Sequence, residues 1–155
     1  MKPMKGSIAV GITALALTGN IAHADRGREE AQQMALHHFQ ATLENRYQHC
    51  MKAAKTTWDS DHCLALKRDS VNDAVEWMYQ VKLAQAQIDL KYKRPAESDK
   101  VPEMLQQSQA LWKQYTDAEC QGLFEQYISG TIRTGISIDC QYRLAVQRLA
   151  VLQQW

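Results

Sequence analysis

Residues 61–93, DHCLALKRDSVNDAVEWMYQVKLAQAQIDLKYK, decide the fold class. They run for more than 30 residues without a glycine or proline, so nothing in the stretch interrupts a helix. Leu64, Val71, Val75, Met78 and Ile88 form its main apolar stripe, as one face of a helix requires. Just upstream, Asp59, Ser60 and Asp61 supply side chains that can cap the first turn. A helix of this length either backs a bundle or kinks once.

The flanking segments read the same way. Upstream, from about 28 to 50, Ala31, Ala35, Phe39, Leu43 and Tyr47 recur every four residues and predict another helix. A polar turn at 52–60 joins the two. Downstream, 91–102 is charged and carries Pro95 and Pro102, which predicts a loop. A third helix starts at Pro102, since proline suits the first helical turn, and ends near Tyr127. Leu105, Leu111, Trp112, Tyr115 and Ala118 fit one broad apolar side of it. Residues 129–135, SGTIRTG, form a glycine-bracketed loop, and a last helix runs from about 137 to 154 with Leu144, Val151 and Leu152 inward. The one β-branched stretch, 131–138, is short. The expected fold is all-α, a compact bundle of about four helices.

The N-terminus carries the three parts of a secretory signal. Lys2 and Lys5 are positive, residues 8–17 are apolar and uncharged, and Ala22-His23-Ala24 offers small residues at the two positions a signal peptidase reads. Residues 1–24 are therefore expected to be a signal peptide cut after Ala24, with 25–155 the mature domain. The apolar run is about half the ~20 residues that a spanning helix needs. No cysteine precedes Cys50, so a lipid anchor at the cut is not expected. No other stretch is apolar enough to span a bilayer. The expected product is soluble, and periplasmic or secreted.

Cleavage leaves 131 of the 155 residues, the size of one domain. Its Lys and Arg number 16 against 17 Asp and Glu. That neutrality argues against nucleic acid, which demands a basic face. All four cysteines, Cys50, Cys63, Cys120 and Cys140, lie in the mature part. An even count in an exported chain reads as two disulfides, and sequence alone allows three pairings. The favoured pairing is Cys50–Cys63 with Cys120–Cys140, because each closes a short segment between predicted helices. A loop of about 15 residues contributes about 3 kcal/mol in the chain-entropy account. No CxxC is present, and the cysteine spacings are poor for zinc.

No catalytic constellation is visible. The chain has no GxSxG and no HExxH. Of His37, His38, His49 and His62, the neighbours His37 and His38 point to different helix faces, and His38 and His49 are three turns apart, too far for one metal, so solvated or core histidines are a better reading than metal ligands. Asp117 and Glu119, two apart on a helix, diverge by about 200° and do not form a carboxylate pair. The expectation is a non-enzyme with neither cofactor nor metal. Trp155 reads as ordinary chain-end packing.

The C-terminal half carries a string of spaced residues. Leu105, Gln109, Trp112, Tyr115, Asp117, Ala118, Glu119 and Cys120 spell L…Q..W..Y.DAEC, and Gly130-Thr131, Cys140, Leu144, Arg148 and Leu152 follow in the spacing G[ST]…C…L…R…L. This resembles the LprI-like lysozyme-inhibitor family of exported bacterial proteins, over roughly 47–153. The upstream Cys50 and Cys63, followed by a long helix holding Tyr79, are similar to that family too. Thr116 stands where the family usually has arginine, Ala145 where it usually has threonine, and Ser129-Gly130 where it favours a doubled glycine.

The resemblance implies a protein that binds a lysozyme and blocks its active-site cleft. The alternative is a periplasmic interaction module, an immunity or assembly factor, without lysozyme activity. Asp117 and Arg148 are expected to clamp the third and fourth helices beside the second disulfide, with Trp112 and Tyr115 in the core. The candidate partner-binding residues are Ser129, Gly130, Thr131, Ile132 and Arg133. Cys120 and Cys140 would hold both ends of that loop, lowering the entropy lost on binding. Arg133 offers a planar fork for a lysozyme carboxylate.

Overall fold

A computed structural model describes residues 18–92 and 98–155. Most of the expected signal peptide, 1–17, and part of the proline loop, 93–97, lie outside the described residues. The described residues form four helices and no strand: α1 (Thr18–Ala53), α2 (Thr57–Tyr92), α3 (Val101–Gln126) and α4 (Arg133–Leu152). The expected all-α architecture with two disulfides is present, in the favoured pairing. Cys50 bonds Cys63 with Cα atoms 5.7 Å apart, and Cys120 bonds Cys140 at 5.5 Å. The chain divides into two compact units, 1–41 and 42–155.

In the first unit, α1 is already helical at Thr18, so the expected cut after Ala24 falls inside the helix. Ala31 and Ala35 are exposed, contrary to the expected inward face. Two alanines bury too little apolar area to hold a helix surface.

In the second unit, the last turns of α1 contribute Leu43 to the core. A three-residue turn then leads into α2. Thr56 caps that helix: its Oγ1 accepts from the Asp59 N–H at 3.1 Å, while Asp59 Oδ2 accepts from the Thr56 N–H at 2.9 Å. This reciprocal capping box satisfies two otherwise unpaired donors. Asp59 also accepts from the Lys55 N–H, and these bonds hold its carboxyl below the usual value. Of the expected caps, Asp59 therefore acts from within the first turn, while Asp61 faces α4.

Helix α4 packs against both α2 and α3, which meet each other much less. The core is Val71 and Val75 of α2, Leu105 of α3, Ala145, Leu149 and Leu152 of α4, and the disulfide sulfurs of Cys63, Cys120 and Cys140. Helix α2 has 36 residues and α4 has 20, about 54 Å against 30 Å at 1.5 Å per residue. The shorter helix cannot cover the longer, and Ile88, expected in the stripe, is exposed along with Leu90 and Tyr92.

Helix α3 departs furthest from the sequence reading. Its inward stripe is Leu105, Gln109, Thr116 and Cys120, with Trp112 half-buried between them. Leu111, Tyr115 and Ala118, expected inward, are exposed. Leu111 and Tyr115 each stand one residue from the stripe, a turn of about 100° around the helix. Two polar residues take the positions that an apolar count assigned to leucine and tyrosine. On α4, Val151 is likewise exposed and Arg148 is buried. Among the described residues no helix is long and apolar enough to cross a membrane.

Candidate recognition surface

The expected loop is shorter than 129–135. Helix α4 begins at Arg133, so Arg133, Thr134 and Gly135 form its first turn and the connection is 127–132. Gly135 sits in this first turn, close to the Asp61 side chain, rather than in a flexible loop. A Cβ there would stand 2.8 Å from Asp61 Oδ1 of α2. Gly130 donates its N–H to the Tyr127 carbonyl at 2.8 Å, and a Cβ there would sit 3.3 Å from the same oxygen.

Arg133 is turned back on its own loop. Its Nη1 donates to the Ile128 carbonyl at 3.2 Å, and its guanidinium lies 4.6 Å from the Phe124 ring centroid. The expected outward fork is thus engaged in bracing the turn. Ser129, Thr131 and Ile132 are exposed. Sequence reasoning missed Tyr127 and Ile128 beside them, both exposed, which with Ile132 make an apolar tip. It also missed Trp58, 73% exposed at the start of α2 and stacked on His62 at 5.7 Å between ring centroids. Trp58 and His62 share a surface hollow with Thr131, Thr134 and Ile138. Tyr127, Ile128 and Ile132 thus expose apolar side chains on the α3–α4 connection. Their only sequence signal is apolar residues at positions where a solvated turn needs none.

The second disulfide frames this tip. Cys120 lies in the penultimate turn of α3 and Cys140 in the second turn of α4, both fully or nearly fully buried. Both strands of the connection are therefore tied together just behind the exposed residues.

The expected Asp117–Arg148 clamp does not form. Asp117 is exposed, while Arg148 is buried and turns to other residues of α3. Arg148 Nε donates to Gln109 Oε1 and Nη1 to Ser108 Oγ, each at 2.9 Å. Burial lowers its pKa below the usual arginine value, partly offset by Tyr79. Arg148 does join α3 to α4, but through neutral groups. Trp112 is half-buried beside this seam, and Tyr115, 54% exposed, is not part of the core.

Among the described residues no group of three or more His, Cys, Asp or Glu is placed to hold a metal. A family sequence model described as Lysozyme inhibitor LprI matches residues 50–152, a span from the first disulfide cysteine to the last buried leucine of α4. No curated protein and no solved structure matches the chain.

Proposed function

The chain belongs to the LprI lysozyme-inhibitor family, and on that premise we propose that its mature domain is exported and binds a lysozyme, blocking the enzyme's cleft without catalysing a reaction of its own. Membership is the observation that carries this reading. Two disulfides suit an oxidising compartment outside the cytoplasm. The contact surface in this reading is the tip formed by Ser129, Gly130, Thr131, Ile132 and Arg133, with Tyr127 and Ile128 as apolar neighbours. Ile132 is the anchor, and Arg133 holds the turn in shape from behind. The tie between Cys120 and Cys140 reduces the ordering lost on association. A near-neutral mature charge supplies little steering toward a basic enzyme, so affinity would rest on this apolar fit.

The test is calorimetric titration of several lysozyme types with oxidised 25–155, alongside a cell-wall lysis assay. Saturable binding with loss of lysis is expected. Ile132→Asp should weaken binding by about 2 kcal/mol, roughly thirtyfold, as for a central anchor. Absence of binding to every lysozyme type, with both disulfides verified, would leave the interaction-module reading in its place.

A further inference from the structure

Asp59, Asp61 and Asp139 lie in the first turns of α2 and α4, and they are held differently. Asp59 Oδ2 accepts from the Thr56 hydroxyl at 2.8 Å as well as from the N–H groups of Lys55 and Thr56. Asp139 Oδ2 accepts from Arg143 Nε at 2.9 Å. Asp61 has no hydrogen bond or ion pair among the described residues. Its Oδ1 would stand 2.8 Å from a Cβ on Gly135, so the carboxyl lies close to the backbone of α4. It is still reachable from solvent. Asp61 is partly exposed, and with Thr57 it lines two surface hollows at once.

One hollow runs to Trp58, His62 and Ile138, the other to Tyr127, Ile132 and Ile136. Trp58, Tyr127 and Ile132 all expose apolar surface there. The cations nearby are already engaged. Arg143 pairs with Asp139, and Arg133 is bound to the Ile128 carbonyl and the Phe124 ring. His62, next to Asp61 in sequence, is stacked on Trp58. The folded domain therefore brings no cation of its own to Asp61.

An unpaired carboxylate between apolar walls selects its occupant. An anion is repelled by it. A wholly apolar group would strip water from the carboxylate and return no hydrogen bond. An arginine or lysine side chain answers both features: its charged head pairs with Asp61, and its methylene stem covers the apolar walls. An exposed indole adds attraction for the same cation. We propose, resting on the reading of this chain as a lysozyme binder, that the contact surface extends from the α3–α4 tip onto the start of α2. Asp61 there receives a basic side chain of the enzyme, and Trp58 is a second anchor alongside Ile132.

The test is calorimetric titration of lysozyme with the oxidised mature chain, 25–155, and its variants, at low and high salt. Asp61→Asn takes no hydrogen bond or ion pair from the folded domain, so its melting temperature should hold. Its affinity should fall about tenfold or more, the loss of one charge-assisted bond. The remaining affinity should also depend less steeply on salt. Glu125→Gln removes the same charge from the last turn of α3 and should change affinity less than about twofold. Trp58→Ala should weaken binding about tenfold without unfolding, because the ring is exposed. Binding by the wild type that Asp61→Asn leaves intact, or equal losses for Asp61→Asn and Glu125→Gln, would overturn this proposal alone. No binding of the wild type to any lysozyme type would overturn the lysozyme reading and this proposal with it.

Discussion

Two cations with little solvent exposure, Lys67 and Arg148, are held in opposite ways. Lys67 of α2 is enclosed by charge and aromatic surface. Its ammonium pairs with Glu44 of α1 at 2.6 Å and lies 4.4 Å from the Tyr47 ring and 4.3 Å from the Tyr142 ring. Burial opposes its charge, but the Glu44 hydrogen bond and the Tyr142 hydroxyl outweigh it and leave the pKa above 10.5. Arg148 has no carboxylate partner among the described residues. An amide oxygen and a hydroxyl are its partners, its Nη2 has none, and burial prevails. The first arrangement is closed: every feature of Lys67 is answered, and it joins the end of α1 to α2 and α4. The second is open: Nη2 of Arg148 and Nε2 of Gln109 are buried with no partner among the described residues. A satisfied buried charge is a fastening. A partly satisfied one carries an uncompensated desolvation cost.

The comparison is broken most severely by cutting the bridges behind each region. Replacing Cys120 and Cys140 with alanine should cost about 3 kcal/mol in urea unfolding, from a loop of 20 residues' separation. Hydrogen exchange should then rise along α3 before it rises around Lys67. If loss of Cys50–Cys63 loosened the Arg148 seam equally, the two regions would be one cooperative unit. Next in size is Arg148→Ala, which removes two charge-assisted bonds and leaves a void, at about 2–3 kcal/mol. Arg148→Met should cost far less, because it fills the space and removes a buried charge that no carboxylate balances. Equal losses for the two variants would show that the charge itself stabilises the seam.

Lys67→Met removes two cation–π contacts and one half-exposed ion pair, about 1–2 kcal/mol in the same urea experiment. Here methionine should not rescue stability as it does for Arg148. The smallest effect is in pH. The Gln48 hydrogen bond and then Lys67 hold Glu44 below 4.5, so its contribution is complete above about that pH and is lost as pH falls through its lowered value. The Lys67 contribution is present below 10.5 and is lost as pH rises through its raised value. The melting temperature of the wild type should therefore fall on an acid limb that Glu44→Gln makes shallower.

Much of this was legible in the sequence. An uninterrupted α2, a proline at the start of α3 and cysteines closing short segments all act over short chain distances. The error on α3 has one cause. Counting apolar residues placed Leu111 and Tyr115 inside, whereas Gln109 and Thr116 are there. Nothing near Gln109 announces that Arg148, 39 positions away, lies against it. The loop boundary failed for a similar reason. A glycine reads as a turn, but Gly135 lies in the first turn of α4, close to Asp61 of another helix.

The amino-acid sequence by itself determined the helices, an even set of four cysteines suited to two bridges, and membership of the family, because each rests on residue count, spacing and local conformational preference. Only the tertiary structure decided which cysteines pair, which face of α3 is buried, that Arg133 braces its own loop, and that Arg148 turns away from Asp117 toward Gln109. Those outcomes depend on which groups meet when α4 packs between α2 and α3. A buried charge takes whatever partners that packing brings within hydrogen-bond reach.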